Sequence, residues 1–311
     1  MFFGVDIGGT NAKVGMVDGR GRVVDHDTVK TGLYQSPADL VLTLAYTILR
    51  LAKVNAAKVE GIGICCPNAC ALDGTVENAA NLKFKEKFSL LRLFRNYFPE
   101  IPVAVDNDAN AATIGEQVYG KAKGLRDFLF VTLGTGVGGG VVCDGKLVYG
   151  LHAMAGEVGH IVVEPGGRPC GCGRRGCLER YVAARGALET YKEICAENGE
   201  APKAGSFRAF ADLALGGDRL ALQTYEEMGR HLGLFLANLA CVTAPTHIFL
   251  FGGVARVGEI LLEPVRRHFN ENLLCCYKNG IRIELSGLMS SDADAAILGA
   301  SALVRARLAG C

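Results

Sequence analysis

The densest group of possible metal ligands in the 311-residue sequence lies in one short glycine-rich segment. One imidazole and three thiols make up this Cys3His set, which is typical of a closed, tetrahedral structural zinc site: His160, Cys170, Cys172 and Cys177. The Cys-x-Cys spacing is tighter than usual, but the interspersed glycines allow the loop to wrap around an ion. The spacing excludes a Cys-x-x-Cys redox motif and leaves unrelated surface thiols as the alternative.

A second polar cluster, residues 106–110 (Asp-Asn-Asp-Ala-Asn), follows an apolar strand and begins a helix at about Asn107 or Asp108. Any of these side chains can cap the helix, and this role is favoured for Asp106 and Asn110. Only one cap is needed, so the cluster also offers groups for chemistry. A carboxylate near a helix N-terminus stays ionised and can accept a proton from a hydroxyl that attacks a γ-phosphate. Asp108 is therefore the candidate general base.

Three glycine-rich turns each follow an apolar strand and predict a phosphate-binding backbone. Glycine lets N–H groups approach phosphate oxygens because no Cβ stands in the way. An ordinary hairpin remains the alternative for any single turn, and neither of the first two turns matches the Walker pattern or the GxGxxG-plus-helix pattern of dinucleotide-binding folds. Asp6 is the candidate Mg²⁺ ligand. The other candidate nucleotide-binding residues are Gly8, Gly9, Thr10, Asn11 and Lys13 near the first turn, Gly134, Thr135, Gly136 and Gly138 near the second, and Gly252 and Gly253, for adenosine, in the third.

The elements that must position these groups alternate between strands and helices, which favours an α/β fold. Strands are predicted at residues 2–7, 12–17, 22–29, 59–66, 101–105, 128–133, 139–143 and 248–251, and helices from Pro37 and at residues 220–242, 258–270 and 293–308. A strand, a glycine hairpin and a second strand occur twice, which indicates two similar lobes that face one ligand. We expect an N-terminal lobe of residues 1–107 plus 293–311 and a C-terminal lobe of residues 108–292.

Composition narrows the classes of partner. The 33 basic and 32 acidic residues give a net charge of +1, which leaves no basic excess for binding a nucleic acid. The longest apolar run, residues 232–242, is too short to span a bilayer, so we expect no membrane partner. The apolar run at residues 1–6 is too short and too acidic at its end for a signal peptide, so a cytoplasmic location is expected. Cysteines in apolar runs are predicted to be buried free thiols: Cys65, Cys66, Cys143, Cys195 and Cys241.

Four segments together resemble the ROK family of sugar kinases and sugar-responsive repressors: residues 6–11, 107–112, 134–140 and, most specifically, 157–179. The resemblance extends from the first residues to the last helix. It implies a two-lobed, actin-like ATPase fold of the ribonuclease H type, ATP with Mg²⁺, one structural zinc ion per chain, and a homodimer. It also implies that Asp108 is the base and that sugar hydroxyls bind to Asn107, Asp108, Glu157, His160 and Glu179.

One segment departs from the family pattern. ROK kinases commonly read G-x-P-G where this chain has residues 65–68 (Cys-Cys-Pro-Asn), although residues 74–77 and 81–82 still resemble the sugar loop. Asn68 and Asn81 are therefore further sugar-binding candidates. Asparagine tolerates the left-handed backbone region better than most residues, so the departure bears on the choice of sugar rather than on the reaction.

The resemblance implies ATP-dependent phosphorylation of glucose to glucose 6-phosphate, a step of glycolysis. The alternative sugars are N-acetylmannosamine, fructose and allose. A sugar-sensing repressor is one alternative function, but we expect no helix-turn-helix domain ahead of Asp6, and the net charge provides no basic face. A catalytically inactive binding protein is the other alternative, and the presence of Asp6, Asp108 and the two glycine turns argues against it. We also expect zinc loss to change the affinity for ATP little, because the turns at Asp6 and Thr135 are predicted to lie far from residues 157–179.

Overall fold

A computed structural model of the chain describes residues 1–79, 82–290 and 292–310. Their contacts form two compact units. The first unit comprises Met1–Leu125, Gly145–Ala155 and Gly287–Cys311, and the second comprises Arg126–Asp144 and Gly156–Ser286. The lobe boundary predicted near Asn107 differs from this division, because the helix that follows Asn107 packs within the first unit.

The described elements alternate as an α/β fold requires. The strands are β1 (Phe2–Ile7), β2 (Ala12–Val17), β3 (Val23–Val29), β4 (Gly61–Cys65), β5 (Thr75–Val76), β6 (Phe88–Ser89), β7 (Val103–Asp106), β8 (Phe128–Leu133), β9 (Val137–Cys143), β10 (Lys146–Leu147), β11 (His247–Phe251) and β12 (Arg282–Leu285). The α-helices are α1 (Pro37–Val54), α2 (Leu90–Arg95), α3 (Asp108–Tyr119), α4 (Glu179–Val182), α5 (Ala184–Glu197), α6 (Phe207–Leu215), α7 (Arg219–Thr243), α8 (Glu259–Asn272) and α9 (Asp292–Ala309).

The two units repeat one sheet pattern. In the first unit the strand order is β3-β2-β1-β4-β7, with β1 antiparallel to β2 and parallel to β4. In the second unit β9, β8, β11 and β12 follow one another, with β8 antiparallel to β9 and parallel to β11. Each sheet therefore contains a glycine hairpin and two further parallel strands. The α/β class and the duplicated hairpin predicted from the sequence are confirmed.

Helix α9 lies directly on one face of the first sheet because three neighbouring strands carry glycine at the same level. Gly4 of β1 pairs with Gly15 of β2 and with Gly63 of β4. A Cβ atom on Gly63 would lie only 1.8 Å from the carbonyl oxygen of Ala300 in α9. On Gly4 it would lie 2.0 Å from the carbonyl oxygen of Ile297. The absence of these side chains thus allows the backbone of α9 to approach the strands.

The next level of the same sheet is polar. Because side chains two residues apart in a strand share a face, the positions two residues beyond the glycines lie on the α9 side. The paired residues at this level are Lys13, Asp6, Cys65 and Asp106, one on each of β2, β1, β4 and β7. The close packing of α9 on the strands therefore ends directly before the level that contains Asp6, the candidate Mg²⁺ ligand.

Apolar residues fill the other face of the first sheet. Phe3, Val5 and Ile7 of β1 are buried in one cluster with Leu44 and Ile48 of α1. Helix α1 begins at Pro37, as predicted, and the Ser36 hydroxyl accepts a hydrogen bond from the backbone N–H of Asp39 at 3.2 Å. No helix in the described part of the chain combines the length and apolarity needed to cross a membrane.

The described cysteines are free thiols. Cys65, Cys66 and Cys195 are buried, as predicted, and burial raises the pKa of Cys66 to about 12. The prediction is wrong for Cys241, whose position on α7 is exposed, and Cys143 is only partly buried. The apolar runs around these two residues lie on elements with one face toward solvent, so residue type alone did not give the direction of the side chain.

The close contact between Gly63 and the backbone of α9 predicts a measurable effect on the stability of the fold. In Gly63→Ala the new Cβ must displace the α9 backbone, so we expect a loss of about 3 kcal/mol and an unfolding temperature lowered by about 6–12 °C. Gly19→Ala is the control, because a Cβ there has no atom within 4 Å. Differential scanning calorimetry measures both, and equal unfolding temperatures would contradict the packing argument.

Candidate functional site

The N-terminus of α3 presents Asp108. The side-chain oxygen of Asn107 caps the helix by accepting a hydrogen bond from the backbone N–H of Asn110 at 2.7 Å. The cap favoured from the sequence, Asp106 or Asn110, is therefore wrong. Asp108 is the first helical residue and is exposed, and its Oδ1 accepts a hydrogen bond from the backbone N–H of Ala109 at 3.0 Å. This carboxylate combines access for a substrate with the favourable end of the helix dipole.

Asp106 has a structural role. Its side chain is 2 % exposed and accepts hydrogen bonds from the backbone N–H of Asn107, the amide of Asn110 and the hydroxyl of Tyr149 at 2.7–2.8 Å. Burial raises the pKa of Asp106, and the hydrogen bonds act in the opposite direction. With both oxygens engaged, Asp106 ties β7 to α3 and to the segment that contains Tyr149.

In two candidate sugar ligands, Asn107 and Asn68, one half of the side-chain amide is already engaged in a hydrogen bond within the protein. The oxygen of Asn107 caps α3, which leaves its N–H2 group as the donor that it can offer to a hydroxyl. The N–H2 group of Asn68 donates to the carbonyl oxygens of Glu77 and Asn78 at 3.3 and 3.1 Å, which leaves its oxygen as an acceptor. Asn68 has a φ of 59°, so it occupies the left-handed region that a glycine would favour. Asn81 lies outside the described residues.

Asp6 lies in β1, two residues before the turn rather than in it. It pairs with Lys13 on one side and with Cys65 on the other, and the Cys65 thiol lies 3.3 Å from its Oδ1. Burial raises the pKa of Asp6, the Cys65 hydrogen bond and the Lys13 charge lower it, and the Asp108 charge raises it. A divalent cation would stabilise both ionised carboxylates, so this arrangement fits a Mg²⁺ ligand.

Cys65 contributes to the surroundings of Asp6 in a way that its predicted role as a buried thiol does not include. Its thiol is a hydrogen-bond partner of the Asp6 carboxylate. The available signal was strand register, because the residue that follows a strand's glycine by two positions shares its face.

The first turn (residues 8–11) is a compact hairpin. The N–H of Gly8 donates to the carbonyl oxygen of Asn11 at 3.0 Å, and a Cβ on Gly8 would lie 3.0 Å from the same oxygen. Gly9 is half-buried, whereas Thr10 and Asn11 are exposed. The turn thus exposes a hydroxyl and an amide beside the strand that carries Asp6.

The second turn (residues 134–136) joins β8 to β9, and the N–H of Gly134 donates to the carbonyl oxygen of Gly136 at 3.0 Å. Thr135 is exposed, and a Cβ on Gly134 would have no atom within 4 Å, so the backbone is accessible there. The backbone N–H of Gly138 donates a hydrogen bond to the Thr132 hydroxyl oxygen at 3.0 Å.

The third turn follows β11. Gly252 has a φ of 106°, and a Cβ on it would lie 2.4 Å from the carbonyl oxygen of Leu133, so packing at the end of β8 requires glycine. A Cβ on Gly253 would meet no atom within 4 Å. Of these two candidates, Gly253 is therefore the one with space for a ligand.

The four predicted zinc ligands lie together. The ligand atoms of His160, Cys170, Cys172 and Cys177 are all within 4.8 Å of one another. The Nδ1 atom of His160 is 3.7 Å from the Cys170 sulfur, and the Cys172 and Cys177 sulfurs are 3.6 Å apart. Ligands about 2.3 Å from a tetrahedral zinc ion would be about 3.7 Å apart, so the set fits this metal. Burial raises the pKa of Cys177 to about 12, and a bound cation favours its thiolate.

The loop that carries the Cys3His set (residues 160–177) lies in the sequence between two candidate sugar ligands, Glu157 and Glu179. Glu157 is exposed and precedes a 3-10 turn (Val158–His160), in which the His160 N–H donates to the Glu157 carbonyl oxygen at 3.1 Å. Glu157 and His160 are therefore joined by one short helical turn. Because Nδ1 of His160 faces Cys170, Nε2 remains for a substrate hydroxyl.

Glu179 is the first residue of α4 and lies against the second turn. Its Oε2 accepts a hydrogen bond from the backbone N–H of Val137 at 3.1 Å, and the backbone N–H of Ala184 donates to the carbonyl oxygen of Gly134 at 2.9 Å. The expectation that residues 157–179 lie far from the turn at Thr135 is therefore wrong. Strand β8 and the chain after Cys177 meet at the carboxyl end of the second sheet.

A family model, curated relatives and a solved structure all relate the chain to the same group of proteins. Residues 2–307 match the ROK family. The glucokinase of Halalkalibacterium halodurans is 34% identical over 317 residues, covering 98% of this chain and 94% of that protein. The glucokinase of Thermotoga maritima is 32% identical, covering 99% and 98%. The crystal structure of a ROK family glucokinase from Streptomyces griseus in complex with glucose and AMPPNP is 30% identical, with a TM-score of 0.79 and coverage of 98% and 99%.

Repressors are also among the relatives. The xylose repressor of Caldicellulosiruptor bescii is 29% identical over 255 residues, covering 79% of this chain and 62% of the repressor. The glucokinases thus match at higher identity and over nearly the full length of both chains.

The clustered thiols predict the behaviour of the loop. We expect elemental analysis to find about one zinc ion per chain. Cys172→Ser should reduce that content and increase hydrogen exchange in residues 157–179 and, through Glu179 and Ala184, in residues 134–137. Cys241→Ser, another exposed cysteine of the second unit, is the control. Unchanged exchange in a zinc-depleted Cys172→Ser protein would contradict the role of the metal.

Proposed function

The chain belongs to the ROK family, and we propose that it is an ATP-dependent hexokinase that converts glucose to glucose 6-phosphate. The observation that carries the proposal is the exposed carboxylate of Asp108 at the capped N-terminus of α3. The identity to glucokinases over almost the whole chain supports glucose as the sugar. A glycolytic role follows from that product.

Asp108 acts as the general base. The proton of the sugar hydroxyl moves to a carboxylate oxygen of Asp108 as the hydroxyl oxygen forms its bond to the γ-phosphorus and the bond to the ADP oxygen breaks. The neighbouring Asp106 is unsuited to this step because three donors occupy its oxygens. Exposure of Asp108 and the fixed helix end allow the sugar to reach one carboxylate in a defined position.

The nucleotide is held by the glycine turns. Asp6 would hold a Mg²⁺ ion, which neutralises phosphate charge when bound. Lys13, opposite Asp6 in β2, adds a cation, and Thr10 and Thr135 add exposed hydroxyl donors. The open space beside Gly134 and Gly253 suits the approach of phosphate and adenosine to the backbone.

The sugar is recognised by groups whose remaining hydrogen-bonding capacity is defined by the fold. Asn107 offers its N–H2 group and Asn68 its oxygen. His160 offers Nε2, while Glu157 and Glu179 offer carboxylate oxygens. A zinc ion held by His160 and the three cysteines would fix the orientation of the His160 ring, because the metal occupies the other ring nitrogen.

Two further assignments belong to this proposal. A cytoplasmic location is consistent with the use of ATP and with the free thiols of the described cysteines. A homodimer remains a prediction from the family resemblance.

Activity distinguishes the proposal from a sugar sensor. ADP release, measured by a coupled assay with glucose, N-acetylmannosamine, fructose and allose, should be fastest with glucose. A faster reaction with another sugar would replace the substrate but retain the reaction. Sugar binding without ADP release would favour the sensor, a function that the repressor relatives make the main alternative.

The base assignment predicts a kinetic change. Asp108→Asn should lower kcat by about 10²–10⁴-fold with folding intact, because the amide cannot accept the proton. Asp39→Asn is a matched control, since Asp39 is also an exposed acidic residue in the first turn of a helix. A loss of less than about tenfold in steady-state assays would move the role away from Asp108.

The metal assignment predicts a selective loss. Asp6→Asn should weaken the use of Mg²⁺-ATP far more than the binding of sugar, because the amide loses the charge that attracts the cation. Kinetics at varied Mg²⁺-ATP and isothermal titration with glucose measure the two effects. An equal fall in sugar affinity would rule out this role for Asp6.

A further inference from the structure

We propose that Glu179 is a positioning residue for the second turn, which it holds in the nucleotide-binding conformation, and that it thereby couples sugar binding to nucleotide binding. The sequence resemblance gives Glu179 a role toward the sugar only. The inference rests on the proposed function for the identity of the two ligands, but its structural basis is the contact between Glu179 and residues 134–137.

The carboxylate of Glu179 fits closely against the turn. Its Oε2 accepts the N–H of Val137, the residue that directly follows the turn, at 3.1 Å. A Cβ on Gly136 would lie 2.6 Å from the same oxygen, so glycine at this position makes room for the carboxylate. A hydrogen bond to an ionised acceptor is about twice as strong as one between neutral groups. Glu179 therefore restrains the end of the turn with one oxygen.

A second contact restrains the beginning of the turn. The backbone N–H of Ala184, the first residue of α5, donates to the carbonyl oxygen of Gly134 at 2.9 Å. The turn is closed internally by the hydrogen bond from the Gly134 N–H to the Gly136 oxygen. Helices α4 and α5 thus contact residues 134–137 at both ends through groups only five residues apart.

A third contact joins residues 157–179, which we call the sugar segment, to the start of β9. A Cβ on Gly159 would lie 2.2 Å from the carbonyl oxygen of Val137, so the 3-10 turn before His160 packs directly on the start of β9. Val137 therefore has its N–H bound by Glu179 and its carbonyl oxygen covered by Gly159. The sugar segment and the second turn form one packed structure in the second unit.

This packing implies a coupling free energy. The other oxygen of Glu179, Oε1, has no hydrogen bond among the described residues and remains for a sugar hydroxyl. A sugar bound to Oε1 restricts the rotation of the carboxylate, and the turn held by Oε2 is then ordered at a lower entropy cost when nucleotide binds. Coupling between binding sites is reciprocal, so each ligand should raise the affinity for the other by the same factor.

The decisive measurement is nucleotide affinity in the absence of sugar. Isothermal titration with the Mg²⁺ complex of a non-hydrolysable ATP analogue should show about tenfold weaker binding to Glu179→Ala than to the unmodified chain, since a hydrogen bond to a charged group is lost. Glu179→Gln keeps an oxygen acceptor for the Val137 N–H and should stay within about threefold.

Glu157→Ala is the matched control, because Glu157 is the other candidate sugar carboxylate and its side chain makes no hydrogen bond to residues 134–137. It should weaken glucose binding and leave sugar-free nucleotide affinity within about twofold. If Glu179→Ala and Glu157→Ala both bind the nucleotide analogue as tightly as the unmodified chain does, the proposal is overturned.

Ala184→Pro tests the turn without changing a sugar ligand. Proline is tolerated at the first position of a helix, and Ala183 has the extended backbone (ψ of 163°) that suits a residue before proline. The change removes the N–H that binds Gly134, so nucleotide affinity should fall about three- to tenfold while glucose affinity measured alone is retained. Unchanged nucleotide affinity would contradict the restraint of residues 134–137 by Glu179 and Ala184, which we call the clamp.

The same titrations, repeated in the presence of glucose, measure the coupling between sugar binding and nucleotide binding. In the unmodified chain, glucose should tighten nucleotide binding, and in Glu179→Ala the ratio of the two nucleotide dissociation constants should approach one. Zinc content and unfolding temperature are measured for each variant, and Ala184→Pro retains the test if Glu179→Ala does not fold.

Failure of the proposed kinase function can be distinguished experimentally from failure of the clamp. An unmodified chain that binds the nucleotide analogue but phosphorylates none of the sugars refutes the kinase, while the sugar-free affinities still decide the clamp. A kinase whose Glu179 and Ala184 variants bind nucleotide normally refutes the clamp alone. An unmodified chain that binds no nucleotide overturns both.

Discussion

The backbone contact between α9 and the first sheet determines the geometry of the first unit. Gly4 and Gly63 allow the carbonyl oxygens of α9 to approach the strands so closely that even a methyl group would collide with them. Helix α9 also packs against α3, where a Cβ on Gly115 would lie 2.9 Å from the Cα of Gly299. One helix is thereby fixed against both the sheet and the helix that carries Asp108. Densely packed interiors of this kind resist small displacements.

This constraint explains why the polar groups lie where they do. Asp6 and Asp106 follow the glycine level by two residues, so they emerge on the same face at the carboxyl ends of parallel strands. Both carboxylate oxygens of Asp106 accept hydrogen bonds, which join β7 to α3 and to Tyr149. Asp108, two residues later, is left exposed at the helix end. A buried structural carboxylate thus positions an exposed one that is suited to proton transfer.

The second unit depends on a different arrangement, in which the loop that carries the Cys3His cluster and a glycine turn are packed together. Cys177 is two residues before Glu179, so fixing the loop at the four ligand positions also fixes the start of α4. Glu179 in turn contacts Val137. The Cys3His loop, Glu179 and the conformation of the second turn are therefore physically linked, although Val137 and Glu179 are more than forty positions apart in the chain.

The sequence by itself determined the α/β class, the duplicated hairpin and the four members of the Cys3His cluster, because these depend on short-range periodicity and on the types of neighbouring residues. Which side chain caps α3, and that Asp106 is engaged while Asp108 is exposed, depended on competition among adjacent polar groups for a few donors. The pairing of Cys65 with Asp6 and of Glu179 with Val137 was decided only by the tertiary structure. Such contacts are set by strand register and by the packing of helices on sheets, which join residues that no local pattern relates.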